Sequence, residues 1–150
     1  MTPAVQAAER AGVAFTLHEY EGVEYGEGDY GVAVANALGR PPAQLFKTLV
    51  ANVDGNLAVF VVPSDRQLDL RAAGKRTTLA GKAEAERATG YVVGGISPLG
   101  QRKRLPTTVD ASAFEWETIL VSAGRRGLQI ELAPADLVAL TGARLADVAK

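Results

Sequence analysis

The densest chemical signal in this chain is the run Gly94-Gly95-Ile96-Ser97-Pro98-Leu99-Gly100. Glycine lets a backbone approach a ligand closely and take torsions that other residues resist. Proline restricts both its own φ and the residue before it. Such a loop presents backbone N–H groups in a fixed array, a seat for a carbonyl oxygen or a ribose-phosphate end. The basic run Arg102-Lys103-Arg104 follows almost at once. A glycine loop beside clustered positive charge points to an anionic ligand. The loop lacks the Gly-Lys-Ser/Thr ending of a nucleotide-phosphate loop, and no clear helix follows it as a dinucleotide fingerprint requires.

A second candidate is Lys47, inside the apolar run FKTLVANV at 46–53. Side chains alternate across a strand, so Lys47 shares a face with Leu49 and Ala51. A lysine directed inward needs an anionic or carbonyl partner. Ser97 is a candidate nucleophile only with a base beside it, and the one histidine, His18, lies far away in sequence. One histidine without cysteine also makes a poor zinc site. Arg125 and Arg126 form a second basic turn. If the two basic turns flank one pocket, they make a phosphate-contacting rim; apart, they are solvated surface. Tyr20 and Tyr30 border a glycine-rich acidic loop, where an aromatic ring can stack on a base or close over the core. Ser122 ends a strand at a turn, where a hydroxyl can reach a pocket.

The elements that must position these groups follow from local pattern. Thr2-Pro3 opens a helix ended by Gly12, and Val13 to Tyr20 alternates as a strand. Asp29 is placed to cap a helix running to Leu38, with Gly39 as its stop, and Pro41-Pro42 opens a short turn. Residues 46–53 and 57–62, joined through Asp54-Gly55-Asn56, read as a hairpin. A helical turn is expected at 69–74 and a helix at 82–89, closed by Gly90. Strands are expected at 91–93, 105–109, 118–122 and 128–132, the last two joined by Gly124-Arg125-Arg126-Gly127. A helix at 134–141 ends at Gly142. The sum is a mixed α+β fold with a largely antiparallel, barrel-like sheet and surrounding helices.

Composition narrows the function classes. The chain has 150 residues, a length that favours one domain over residues 1–150. It is 47% hydrophobic and 22% charged, with net charge −1, so any nucleic-acid contact comes from local patches. The absence of cysteine excludes disulfides, thiolate metal sites and a cysteine nucleophile. No apolar run reaches the length of a membrane span, and the N-terminus lacks a secretion pattern, so a cytoplasmic location without membrane contact is expected.

Taken together, the motifs resemble the YbaK/prolyl-tRNA-synthetase editing-domain family. They are TPAV at 2–5, FTLHEY at 15–20, LFKTL at 45–49, QLDL at 67–70, TGYVVGGISPLGQRKRLPT at 89–107 and GRRGLQIELAPADL at 124–137. The resemblance implies a free-standing enzyme that hydrolyses the ester of a mischarged aminoacyl-tRNA, with Cys-tRNA(Pro) as the expected substrate. It implies no cofactor and no metal. The expected partners are the aminoacyl-tRNA acceptor end and prolyl-tRNA synthetase. Lys47 matches the family's pocket lysine, and Gly94 the glycine that lines the reaction centre. The amides of Gly94 and Gly95 are expected to face the Lys47 ammonium in one cavity. Tyr20, Tyr30 and Ser122 match pocket-lining positions; Ser97, Pro98 and Gln129 are expected at the substrate, and Arg102, Lys103, Arg104, Arg125 and Arg126 at tRNA. Two departures stand out. Gln129 occupies a position where relatives often carry aspartate, and an amide hydrogen-bonds without holding negative charge. The segment at 71–82 is also shorter. Two other readings stay open at this point: a deacylase for another small amino acid such as alanine, and a non-catalytic tRNA- or nucleotide-binding module.

Overall fold

Helix α1, Pro3–Ala11, starts where the sequence places it: the Thr2 hydroxyl accepts from the Val5 N–H, and Gly12 ends the helix in the left-handed region. The protein is represented by a computed structural model that describes residues 1–25 and 29–150. After α1 come β1 (Phe15–Glu19), α2 (Tyr30–Ala37) and a 3₁₀ turn at Pro42–Gln44. Then follow β2 (Phe46–Val53), β3 (Asn56–Pro63), α3 (Leu70–Ala73), β4 (Thr77–Leu79) and α4 (Lys82–Thr89). The chain finishes with β5 (Thr107–Asp110), a 3₁₀ segment at Ala111–Glu115, β6 (Ile119–Arg125), β7 (Leu128–Leu132), α5 (Pro134–Thr141) and β8 (Arg144–Ala146).

The strands form a three-stranded sheet in the order β1-β7-β6 and a five-stranded sheet in the order β4-β2-β3-β5-β8. Pairing is antiparallel except for β3 with β5 and β5 with β8. A parallel bridge from Leu45 to Leu120 ties the two sheets. The largest core joins them: Phe46, Val59, Val61 and Val109 of one sheet meet Ile119, Val121, Ile130 and Leu132 of the other. Helix α1 adds Ala4, Val5 and Ala8, and α5 adds Leu137. Helix α2 lays Val34 and Ala35 on Leu45 and Leu120. This mixed, largely antiparallel α+β architecture is the expected fold class.

Local corrections have physical causes. Residues 91–93 are not a strand, because their polar groups are used locally. The Val93 N–H donates to Glu86 Oε2 at 2.8 Å, the Gly95 N–H to Val92 O at 2.8 Å, and the Tyr91 hydroxyl to Leu99 O at 2.6 Å. Strand β5 begins at Thr107 rather than 105. Strands β4 and β8 were not anticipated: each is three residues long, too short to show a period. Asp29 stands at the N-cap of α2, yet its side chain makes no capping bond.

One polar network braces the outer part of the three-stranded sheet. The Glu131 carboxylate accepts two bonds from the Arg40 guanidinium at 2.9 Å, one from the Thr118 hydroxyl at 2.6 Å, and pairs with His18 Nε2 at 2.8 Å. Arg40 first, then Thr118 and His18, hold this carboxyl well down, to about 2. A carboxyl with a depressed folded pKa stabilises the fold above its unfolded value and loses that contribution as pH falls through the folded one. Glu131→Gln is therefore expected to cost about 2 kcal/mol at pH 7. It should also flatten the acid limb of the stability profile between pH 4.5 and about 2, as read by urea unfolding across that range.

Candidate active site

Strand β2, α2, the start of α4 and the turn at 92–95 enclose a cavity of about 490 Å³. Its wall includes Lys47, Thr48 and Leu49 of β2, and Asp29, Tyr30 and Val34 at α2. Leu79, Lys82 and Ala85 come from β4 and α4, and Val93, Gly94 and Ile96 from the glycine loop. Ser122 and Gln129, directly paired across β6 and β7, complete it. The wall is mostly apolar with a few convergent polar groups, the usual character of a small-ligand site.

Lys47 is the central charge. Phe46 just before it and Val50 three residues after it are buried, which anchors β2 and leaves the lysine half-buried at the cavity. Among the described residues Lys47 has no salt bridge. Burial lowers its pKa below the ordinary lysine range, while Asp29 and then Asp65 hold it up. The Asp29 carboxylate is available for this because it does not cap α2. An ammonium lining a cavity, with carboxylates near but not bonded, is set to receive a carbonyl or phosphate oxygen.

Two further polar atoms are unsatisfied. Thr48 Oγ1 and Gln129 Oε1 are buried without a hydrogen-bond partner, and both residues line the cavity. A buried unpaired polar atom costs roughly 1–3 kcal/mol, so two in one wall mark places where a ligand completes the bonding. Thr48 was not singled out from sequence: a β-branched residue in a strand carries no signal that its hydroxyl lacks a partner. Asp29, Tyr25, Ser64 and Lys82 were likewise not proposed as cavity groups.

The glycine loop divides. Gly94 lines the cavity, and its N–H has no partner among the described residues. Gly95 does not line it. Its N–H is held by Val92 O, and a Cβ there would lie 2.7 Å from the Arg125 Cα, so Gly95 is a packing glycine against the β6–β7 turn. Ser97 is fully buried, its hydroxyl accepting from the Leu99 N–H, so it cannot reach a substrate in this cavity. Pro98 faces a separate depression of about 220 Å³ together with Lys103 and Arg104. The two basic turns therefore do not form one rim. Arg102 lies against Gly90, and Arg125 points outward to Arg126 O. Arg126 turns inward: its guanidinium stacks 4.3 Å from the Tyr25 ring centroid and donates through Nε and Nη2 to Val93 O.

The tyrosines form an aromatic side to the site. Tyr25 meets Tyr30 edge-on at 5.1 Å, and the Tyr30 and Tyr20 hydroxyls are 3.1 Å apart. Burial and the Tyr20 hydroxyl push the Tyr30 phenol above its ordinary value, keeping it neutral. Tyr20 thus touches the site through Tyr30 and is not itself part of the wall. No histidine or cysteine lines the cavity among its described residues, and the Ser64 hydroxyl is committed to Pro42 O.

Comparison with known proteins identifies the frame around this cavity. Residues 29–140 match the model of the aminoacyl-tRNA editing domain. The chain belongs to the aminoacyl-tRNA editing domain family. Editing of an aminoacyl-tRNA is hydrolysis of its ester, so this editing domain is a deacylase by family. It is 38% identical over 123 residues to a provisionally named Cys-tRNA(Pro)/Cys-tRNA(Cys) deacylase, EbsC, of Enterococcus faecalis, covering 77% of this chain and 74% of that protein. It is 32% identical over 114 residues to the multifunctional Ser/Thr-tRNA deacylase ProXp-y of Escherichia coli K12, covering 69% of this chain and 68% of that protein. A solved structure provisionally described as a trans-editing enzyme for prolyl-tRNA synthetase superposes with a TM-score of 0.84 at 25% identity, over 100% of this chain and 99% of that one. No helix of the editing domain, among its described residues, is long and apolar enough to cross a membrane.

Proposed function

We propose that this editing domain acts in trans as a single-domain deacylase of Cys-tRNA(Pro), with the substrate's own thiol as nucleophile. The observation that carries the proposal is that Lys47 and Gly94 line one cavity whose wall, among the described residues, offers no salt bridge to the lysine, no partner to the Gly94 N–H and no histidine or cysteine. Such a wall positions and polarises an ester without attacking it.

In this scheme the cysteine sulfur attacks the carbonyl carbon of its own ester. The carbon–sulfur bond forms, the bond to the ribose oxygen breaks, and the thiol proton ends on that oxygen. Water then opens the resulting four-membered thioester to free cysteine. Orientation of such an intramolecular attack contributes on the order of 7–11 kcal/mol in favourable cases. The Gly94 N–H would bind the developing oxyanion, a contact worth roughly 3 kcal/mol. Lys47 would hold the carbonyl or the acceptor-end backbone, and Thr48, Ser122 and Gln129 the aminoacyl group.

The relative named for Cys-tRNA supports this substrate, and the provisional prolyl-tRNA synthetase connection of the structural neighbour supports that synthetase as the source of tRNA selectivity. A cytoplasmic location is the one that fits work on aminoacyl-tRNA. Arg102, Lys103, Arg104 and Arg125 are exposed and, unlike the equally exposed Arg126, do not bond the glycine turn, so they would be the contacts for tRNA phosphates.

The test is a deacylation assay on Cys-, Ser-, Thr- and Ala-tRNA(Pro) with purified protein. Cys-tRNA(Pro) is expected to be cleaved at least about tenfold faster than the other three, because only its side chain is a strong nucleophile near neutral pH. Equal rates would replace thiol attack with attack by water. Preference for Ser and Thr would align the protein with its Escherichia coli relative instead.

A further inference from the structure

The inference concerns Arg126, and it rests on the deacylase reading above. Residues 92–95 form a tight turn: the Gly95 N–H donates to Val92 O at 2.8 Å, and Gly94, third of the four, has φ +93°. Val93 is not at positive φ. An i to i+3 bond with positive φ at the third residue alone is the type II arrangement. It differs from type I mainly by a flip of the central peptide, here the unit that carries Val93 C=O and Gly94 N–H.

A trans peptide is planar, and its C=O and N–H point in opposite directions. Whatever holds the Val93 oxygen therefore sets where the Gly94 hydrogen points. That holder is Arg126, whose Nε and Nη2 both donate to Val93 O, the former at 2.9 Å. Its guanidinium in turn packs on one face against the Tyr25 ring at 4.3 Å, and Tyr25 meets Tyr30 edge-on at 5.1 Å. Gly94 sits directly beneath this clasp: a Cβ there would lie 2.5 Å from Arg126 Nε and 2.7 Å from Tyr25 Cδ1. A cation on the carbonyl also polarises the amide, strengthening the N–H on its far side.

We propose that Arg126 is a positioning residue: it aims the Gly94 amide into the cavity by gripping the carbonyl of the same peptide unit. Two of its three guanidinium nitrogens serve the turn and its face serves Tyr25, a geometry that assigns it to the turn rather than to a tRNA phosphate. This departs from the role its place in a basic turn suggests.

The experiment compares wild type, Arg126→Ala and Arg126→Lys in the full chain. Arg126 is exposed, so both variants are expected to fold. On Cys-tRNA(Pro), Arg126→Ala should lower kcat roughly tenfold to a hundredfold, by loss of aim at one oxyanion donor. KM and the salt dependence of tRNA binding should stay within about twofold. Lysine keeps the charge but not the two-pronged grip, and should restore kcat only in part. A rise in KM with a shallower salt dependence and steady kcat would make Arg126 a phosphate contact and overturn the proposal. Unchanged kcat and KM would also overturn it. The second measurement needs no turnover: the amide resonance of Gly94 in a ¹⁵N-labelled sample should shift or broaden in Arg126→Ala. An unmoved resonance overturns the proposal even if kcat falls. Should the wild type cleave none of the four aminoacyl-tRNAs, the deacylase reading fails separately, and this resonance alone decides whether Arg126 aims the amide.

Discussion

Lys47→Ala loses deacylation by two orders of magnitude or more and keeps its fold. The loss follows from position: Lys47 is a cation in the cavity wall that has no salt bridge among the described residues, so its charge is free for substrate. Removing it leaves an oxygen of the substrate or of the acceptor end without its counter-charge in a partly desolvated site, where such contacts are strongest. The fold survives because the lysine's charge is a burden to it. Burial lowers the Lys47 pKa, so the folded state holds this proton less tightly than the unfolded chain does. For a lysine depressed in this way the charged form opposes folding at neutral pH, and the penalty disappears as pH rises through the folded and then the unfolded pKa. Lys47→Met, which keeps the length without the charge, should therefore be inactive and equally or more stable. A gain of about 1 kcal/mol would appear as a rise in Tm of roughly 2–4 °C. In the wild type the alkaline limb of kcat/KM, corrected for spontaneous ester hydrolysis, should begin below the ordinary lysine range. Full activity in Lys47→Ala would remove the residue from the chemistry.

Gly94→Ala is expected to reduce kcat by about a hundredfold for a different reason. Its φ of +93° lies where an L side chain is strained, and the new methyl would fall 2.5 Å from Arg126 Nε and 2.7 Å from Tyr25 Cδ1. Both obstructing atoms belong to side chains, so the variant can relieve the clash by displacing the clasp or by flipping the peptide. Either response misdirects the Gly94 N–H. The stability cost should be modest, about 1–2 kcal/mol, since no buried backbone is obstructed. A variant with normal kcat, measured beside an unchanged unfolding transition, would show that the Gly94 amide is not an oxyanion donor.

The glycine loop shows where reading from sequence succeeds and where it stops. Its turn-forming character follows from residue types alone, because glycine and proline free or restrict the backbone wherever they occur, whereas its closeness to Lys47 was implied only by the family resemblance. Which of its groups face the cavity does not follow. Gly94 and Gly95 are adjacent and chemically identical, yet the first lines the site while the second packs on Arg125 Cα and gives its N–H to a turn. Ser97, a plausible polar group on paper, is buried and already bonded. The five arginines and lysines proposed as a rim separate for the same reason. Charge clustering in sequence says nothing about which way a turn is carried. Strand alternation singles out Lys47 beside apolar neighbours, and Lys47 lines the cavity, but so do Phe46, Thr48, Leu49 and Val50, so both faces of this part of β2 reach it and alternation by itself does not select the lysine.

Elements α1, α2, α4, α5 and the β2–β3 hairpin were legible because each is set by neighbours a few residues apart: a capping Thr2, stop glycines, an Asp54-Gly55 turn. The family, too, was readable in short motifs whose order survives in a linear chain. Folding alone determined that the β6–β7 turn closes on residues 92–95, that Arg126 reaches a carbonyl 33 positions away, and that Asp29 abandons its helix cap to stand near Lys47. Those arrangements depend on how two sheets pack face to face, a property of distant apolar surfaces that no local pattern of residues contains.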